Sequence, residues 1–102
     1  MSELALPIAC ILSDAELRQR RETILQKVRG AASAVQELES GYAYQFPASG
    51  VKIAELAHLI ETERQCCPFL KFQLTIEPGE GPMQLEITGP AGTKEFLSQV
   101  FN

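Results

Sequence analysis

The chain is short of histidine, of basic charge and of long apolar runs, and each shortage removes a class of function. His58 is the one histidine in 102 residues, so a two-histidine metal site within one chain is excluded. No H-E-x-x-H, C-x-x-C or G-x-S-x-G run occurs either. Lys and Arg number 9 against 13 Asp and Glu, a net charge of −4, which argues against nucleic acid or an anionic membrane as a partner. Arg18, Arg20, Arg21, Lys27 and Arg29 do cluster in the first half, and that cluster reads as a solvated helix face.

The apolar stretch Leu4–Leu12 is far too short to span a bilayer. As a secretion signal it lacks a basic leading region, carries Glu3 and contains Pro7. A lipid-modified Cys10 is disfavoured because Pro7 sits where an aliphatic residue is wanted. The stretch reads instead as a strand. Without an export signal the expected setting is cytoplasmic, with all three cysteines reduced, and an odd count containing an adjacent pair is a poor disulfide framework.

What is present is an ordinary globular balance, 45% hydrophobic and 22% charged, with no low-complexity linker and no internal repeat. One domain over 1–102 follows. Pro7–Leu12 reads as a buried strand. Ser13 with Glu16 forms a capping-box pattern, opening a helix on which Leu17, Ile24, Leu25 and Val28 share a face up to about Gly30. Val35–Glu39 and Tyr42–Phe46 flank Ser40-Gly41 as a hairpin, the second strand alternating Tyr42, Tyr44 and Phe46 with Ala43 and Gln45.

A second helix spans about Val51 to Cys66. Its apolar face is Ile53, Leu56, Ala57, Ile60 and Cys67, with Leu59 and Cys66 at one edge. Pro68 stops it, since a residue before proline is pushed out of helical geometry. Leu70, Phe72, Leu74 and Ile76 then alternate with Lys71, Gln73 and Thr75. After the Pro78–Pro82 turn, Met83, Leu85 and Ile87 alternate with Gln84, Glu86 and Thr88. Gly89-Pro90-Ala91-Gly92 leads into a last helix holding Phe96, Leu97, Val100 and Phe101. The order β-α-β-β-α-β-β-α predicts an α+β two-layer sandwich, a mostly antiparallel sheet with helices on one face. The other face, with Lys71, Gln73, Thr75, Gln84 and Glu86, is solvated or used for a homodimer.

The densest chemistry lies in Glu63-Arg64-Gln65-Cys66-Cys67-Pro68-Phe69-Leu70-Lys71-Phe72. This run, followed by a Gly-Pro hairpin and a second Gly-Pro before the last helix, resembles E-R-x-C-C-P-F-[LF]-x-F runs in a group of small uncharacterised bacterial proteins. The likeness extends from about Glu55 to the C-terminus. It implies a shared fold and no particular activity.

Two readings of Cys66 and Cys67 stand side by side. Cysteine packs as a small hydrophobe, and Cys67 continues the stripe of Leu56 and Ile60. Alternatively the pair binds a thiophilic metal or metalloid, such as a mercuric, arsenite or cuprous species, with Glu63 as an oxygen ligand or proton acceptor. Glu63 needs a partner, expected from the strand beside Arg64 or from a backbone N–H after Pro68. A fast redox nucleophile is disfavoured, because the negative end of the helix dipole and Glu63 both oppose a thiolate. His58 stands about 12 Å up the helix and is a poor ligand, while Cys10 joins the pair only if the first strand lies beneath.

Gly89–Lys94 lacks the phosphate-loop pattern and reads as a strand-to-helix turn. The leading expectation is thus a binding, sensing or detoxification accessory without turnover, using Cys66, Cys67 and Glu63. The alternative is a homodimeric interaction module with core cysteines. An enzyme with Glu63 as acid/base and a cysteine nucleophile would need a cleft.

Overall fold

The computed structural model describes residues 15–100. It contains α1 (Ala15–Ala31), β1 (Ala34–Glu37), β2 (Gly41–Phe46), α2 (Ile53–Cys66), β3 (Lys71–Ile76), β4 (Met83–Thr88) and α3 (Thr93–Val100). The expected strand at Pro7–Leu12, the Ser13 cap and Cys10 lie outside the described residues. From the first helix onward the element order is the expected one, and the class is α+β.

The four strands form one antiparallel sheet in the order β1-β2-β4-β3. Register follows from side-chain period two: Tyr44 opposes Leu85, which opposes Leu74, and Tyr42 opposes Ile87, which opposes Phe72. These residues share a face with Phe46, Met83 and Ile76. Leu25 and Val28 of α1, Leu56 and Leu59 of α2 and Leu97 of α3 pack onto that face in one cluster. The opposite face carries Lys71, Gln73, Thr75, Gln84 and Glu86, as the alternation predicts. There Gln45 donates to Gln84, which donates to Glu86 at 3.0 Å.

Gly41 is a position where only glycine fits. A Cβ there would stand 1.9 Å from the Ile87 carbonyl oxygen, so β2 and β4 close up only because it is absent. The β3–β4 turn is carried by left-handed backbone at Gly79 (φ 67°) and Glu80 (φ 60°).

Helix α2 begins two residues later than expected. Lys52 is its N-cap, and its N–H donates to the Glu55 carboxylate at 2.9 Å. Glu55 also pairs with Lys27 of α1, which ties the start of α2 to its neighbour. The buried residues of α2 are Leu56, Leu59, Glu63 and Cys66, whereas Ile53 is 51% exposed and Ala57 is exposed. Leu59 is therefore central to the packed face instead of marginal. Among the described residues no helix is long and apolar enough to cross a membrane.

Candidate functional site

Two local facts fix where the cysteines sit. Pro68 prevents helical geometry at Cys67, whose backbone lies at φ −127° and ψ 76° while its N–H still donates to the Glu63 carbonyl at 2.6 Å. The chain then folds back through a turn closed by the Leu70 N–H on the Cys67 carbonyl at 3.1 Å. Cys66 and Cys67 are thereby turned inward side by side, both fully buried. With Phe69 they form a second apolar cluster, apart from the main core. Phe96 of α3 packs on it, its ring edge-to-face with Phe69 at 5.2 Å and 81°.

Against this corner lies a buried ion pair. Glu63, one turn before Cys67, is 0% exposed. Its carboxylate accepts two hydrogen bonds from Arg21 of α1: Nε to Oε2 at 2.6 Å and a terminal nitrogen to Oε1 at 3.1 Å. The planar guanidinium fork matches the two carboxylate oxygens, the strongest form of such a pair. Arg21 also reaches Cys67 Sγ at 3.8 Å, and the Cys67 thiol stands 3.9 Å from Glu63 Oε1. Cys67 Sγ lies 3.4 Å from Cys66 Sγ. Arg21, Glu63, Cys67 and Cys66 thus form one connected network.

The electrostatics of this network discourage a resident thiolate. Burial, then the charge of Glu63, push the Cys67 thiol up to about 12, and Arg21 only partly opposes them. Burial also raises Glu63 above its ordinary range, with Arg21 pulling the other way. Burial alone would lower Arg21, but the hydrogen bond and charge of Glu63 outweigh it and leave Arg21 raised. The pair holds its charges because each is the other's solvation.

Glu63 finds its partner on α1, neither beside Arg64 nor in the backbone after Pro68. Arg21 is no part of a solvated face: it is 9% exposed, and it was the member of this network least visible in the sequence. The signal was its position four residues after Leu17 and four before Leu25, inside the apolar stripe. Leu17, by contrast, is 38% exposed. Cys67 is a free thiol, but Cys66 is disulfide-bonded, contrary to the expectation that every cysteine is reduced. A disulfide depends on the approach and orientation of two cysteines in space, which sequence spacing does not report.

His58 is exposed and takes no part in this network. Among the described residues no group of three His, Cys, Asp or Glu side chains is arranged to hold a metal ion. Both Glu63 oxygens face Arg21, so its contact with Cys67 is that of a proton acceptor. An open groove of about 560 Å³ is lined by Val51, Lys52, Ile53, Ile76, Glu80 and Met83, among others. It lies at the other end of α2 from Cys66 and Cys67. Comparison with known proteins places nothing beside this arrangement: no family model, curated protein or solved structure matches the chain.

Proposed function

We propose that this chain binds a thiophilic metal or metalloid through Cys66 and Cys67, as a binding, sensing or detoxification accessory without turnover. The observation that carries the reading is the pair of buried sulfurs 3.4 Å apart, close enough for one soft atom to bond both. Sulfur is the ligand such atoms prefer. Glu63 contributes as proton acceptor, since its Oε1 is the carboxylate oxygen facing the Cys67 thiol. Arg21 holds that carboxylate in place and balances its charge.

Binding requires the Cys66 disulfide to be opened first, and a reducing cytoplasm supplies that condition. The oxidised form is the closed one, with a single thiol left at the corner. The site is then gated by redox state, in keeping with a protein that samples a soft ion and does not consume it. A raised Cys67 thiol is no obstacle once an ion arrives, because the ion's own charge reverses the local preference for the protonated form.

The test is stoichiometric binding by the reduced protein, followed by equilibrium dialysis with cadmium, mercuric and arsenite probes. One equivalent of at least one probe is expected to bind, with loss in Cys66→Ser and in Cys67→Ser. Equal binding by wild type and the double-serine variant would overturn the reading in favour of a module whose cysteines serve only to pack.

A further inference from the structure

The two edges of the sheet differ in what they leave uncovered. On β4 the core-facing Met83, Leu85 and Ile87 are buried. Their partners one strand outward are Ile76, Leu74 and Phe72. Ile76 is 47% exposed, and the other two are only partly buried. The helix layer therefore covers β2 and β4 and reaches β3 only in part. β3 also has none of the usual defences of an edge. Its six residues pair with β4 one for one, without a bulge. It holds no proline, and Lys71 is its one charge. Such an edge is a template for a further strand. The opposite edge, β1, is four residues long, and its Glu37 is already paired with Lys94.

We infer that β3 pairs antiparallel with β3 of a second copy of this chain, about a two-fold axis at Leu74, joining the two sheets into one. Backbone, side chains and charge each agree with that register.

The backbone decides which residues can take part. The Glu77 N–H donates to the Pro82 carbonyl at 3.2 Å, in step with the β3–β4 register. Lys71, Gln73 and Thr75 thus turn their backbone groups toward β4, while Phe72, Leu74 and Ile76 turn theirs to the open edge. An axis at Leu74 sets Leu74 against Leu74, and Phe72 against Ile76 of the second copy. The residues that meet are those whose N–H and C=O groups point outward.

Residues opposite one another lie on the same face. Phe72 of the second copy therefore comes beside Ile76, at the groove of about 560 Å³ whose lining includes Val51, Ile53 and Met83. The partly covered apolar row of each copy then covers the other's. The polar face stays in water, where Gln45, Gln84 and Glu86 already bond one another.

Charge selects a second copy over a foreign strand. The same register puts Lys71 opposite Glu77, and symmetry repeats the pair at the other end. Both residues are exposed, and neither is in an ion pair among the described residues. Opposite charges on facing strands favour pairing, and like charges oppose it. An axis moved to Gln73 would put Lys71 against Thr75 and Glu77 against Phe69, which wastes both charges. A surface that complements itself in this way is what a two-fold contact requires.

Sedimentation velocity over a concentration series is expected to show a monomer–dimer equilibrium for the wild type. Lys71→Glu and Glu77→Lys each place like charges opposite one another at both ends of the contact. Either should weaken the dimer by about tenfold or more, with far-UV circular dichroism confirming the fold. The Lys71→Glu/Glu77→Lys double variant should recover it. So should an equimolar mixture of the two single variants, since one then presents two negative charges to two positive ones. Amides of Phe72, Leu74 and Ile76 should exchange with deuterium more slowly where the protein is dimeric. A wild type that stays monomeric overturns the inference, and slow exchange of those amides in that monomer would assign the edge to residues 1–14 of the same chain. A dimer indifferent to either charge reversal overturns it too, as does weakening that neither the double variant nor the mixture repairs. Since no variant touches Cys66 or Cys67, these outcomes are separate from those of the ion-binding test.

Discussion

Arg21 and Glu63 solvate each other's charge, so removing either leaves the other ionised in a place with little water. Breaking a buried pair in this way costs about 3–5 kcal/mol, whereas replacing both members with apolar residues is often close to neutral. Glu63→Met and Arg21→Met are each expected to lose stability on that scale in urea unfolding, and the double variant much less than their sum. Strict additivity would show that the 2.6 Å contact carries no coupling. Cys67 provides a second handle. Its folded thiol lies at about 12 against an ordinary 9.0, so above pH 9.0 the unfolded chain releases a proton that the native chain keeps. Stability from this group is therefore full below 9.0 and is lost as pH rises toward 12, at up to about 1.4 kcal/mol per pH unit. Urea midpoints on both sides of pH 9.0 should show a steeper alkaline decline in wild type than in Cys67→Ala. Equal slopes would place the thiol in a more exposed setting. At this scale the sequence was legible in part. Cys66, Cys67 and Glu63 stood out by type and spacing, while Arg21 was hidden because it lies 42 residues from its partner.

Among the elements, the strands were the most readable and the rotation of α2 the least. Period two admits only two faces, so the alternation of β3 and β4 leaves no intermediate choice. A helix can turn by small angles, and its apolar arc was wide enough to accept either Ala57 or Leu59 at the centre. Contact with α1 and the sheet selected Leu59, taking Glu63 inward and Ile53 outward. Proline chemistry did the rest, because Pro68 fixes where α2 ends and hence where the sulfurs point. Helix α3 then covers the corner through Phe96. Phe96→Ala removes the edge-to-face contact with Phe69 and is expected to cost about 1–3 kcal/mol. It should also raise the native-state alkylation rate of Cys67 by more than the stability loss explains. A rate that tracks global unfolding alone would show that the thiol is reached only through the unfolded chain. Gly41→Ala tests the sheet in the same spirit. Its Cβ meets backbone at 1.9 Å, so a loss of about 2 kcal/mol or more is expected, against near-neutral behaviour for Gly30→Ala, where nothing lies within 4 Å.

Across the whole molecule, the candidate site is a joint between layers. Arg21 comes from α1, the sulfurs and Glu63 from the end of α2, and the aromatic cover from the turn after it and from α3. An ion bonded to both cysteines would therefore stabilise the assembly of α1, α2 and α3 on the sheet, and not a local loop. Binding that favours the native state adds RT ln(1 + [L]/Kd), about 2.7 kcal/mol at a hundredfold excess over Kd. For a domain near this size each kcal/mol moves the melting temperature by about 4–8 °C. Reduced protein with arsenite at that excess should thus melt about 10–20 °C higher, less whatever the unfolded thiols bind for themselves. The same addition should leave a Cys66→Ala/Cys67→Ala variant unmoved, and should leave the oxidised wild type, with only one thiol at the corner, nearly so. The redox dependence is the discriminating part. Stabilisation that is equal in oxidised and reduced protein would mean that the probe sits elsewhere, and that the sealed corner of sulfur, arginine and carboxylate only holds the helices together.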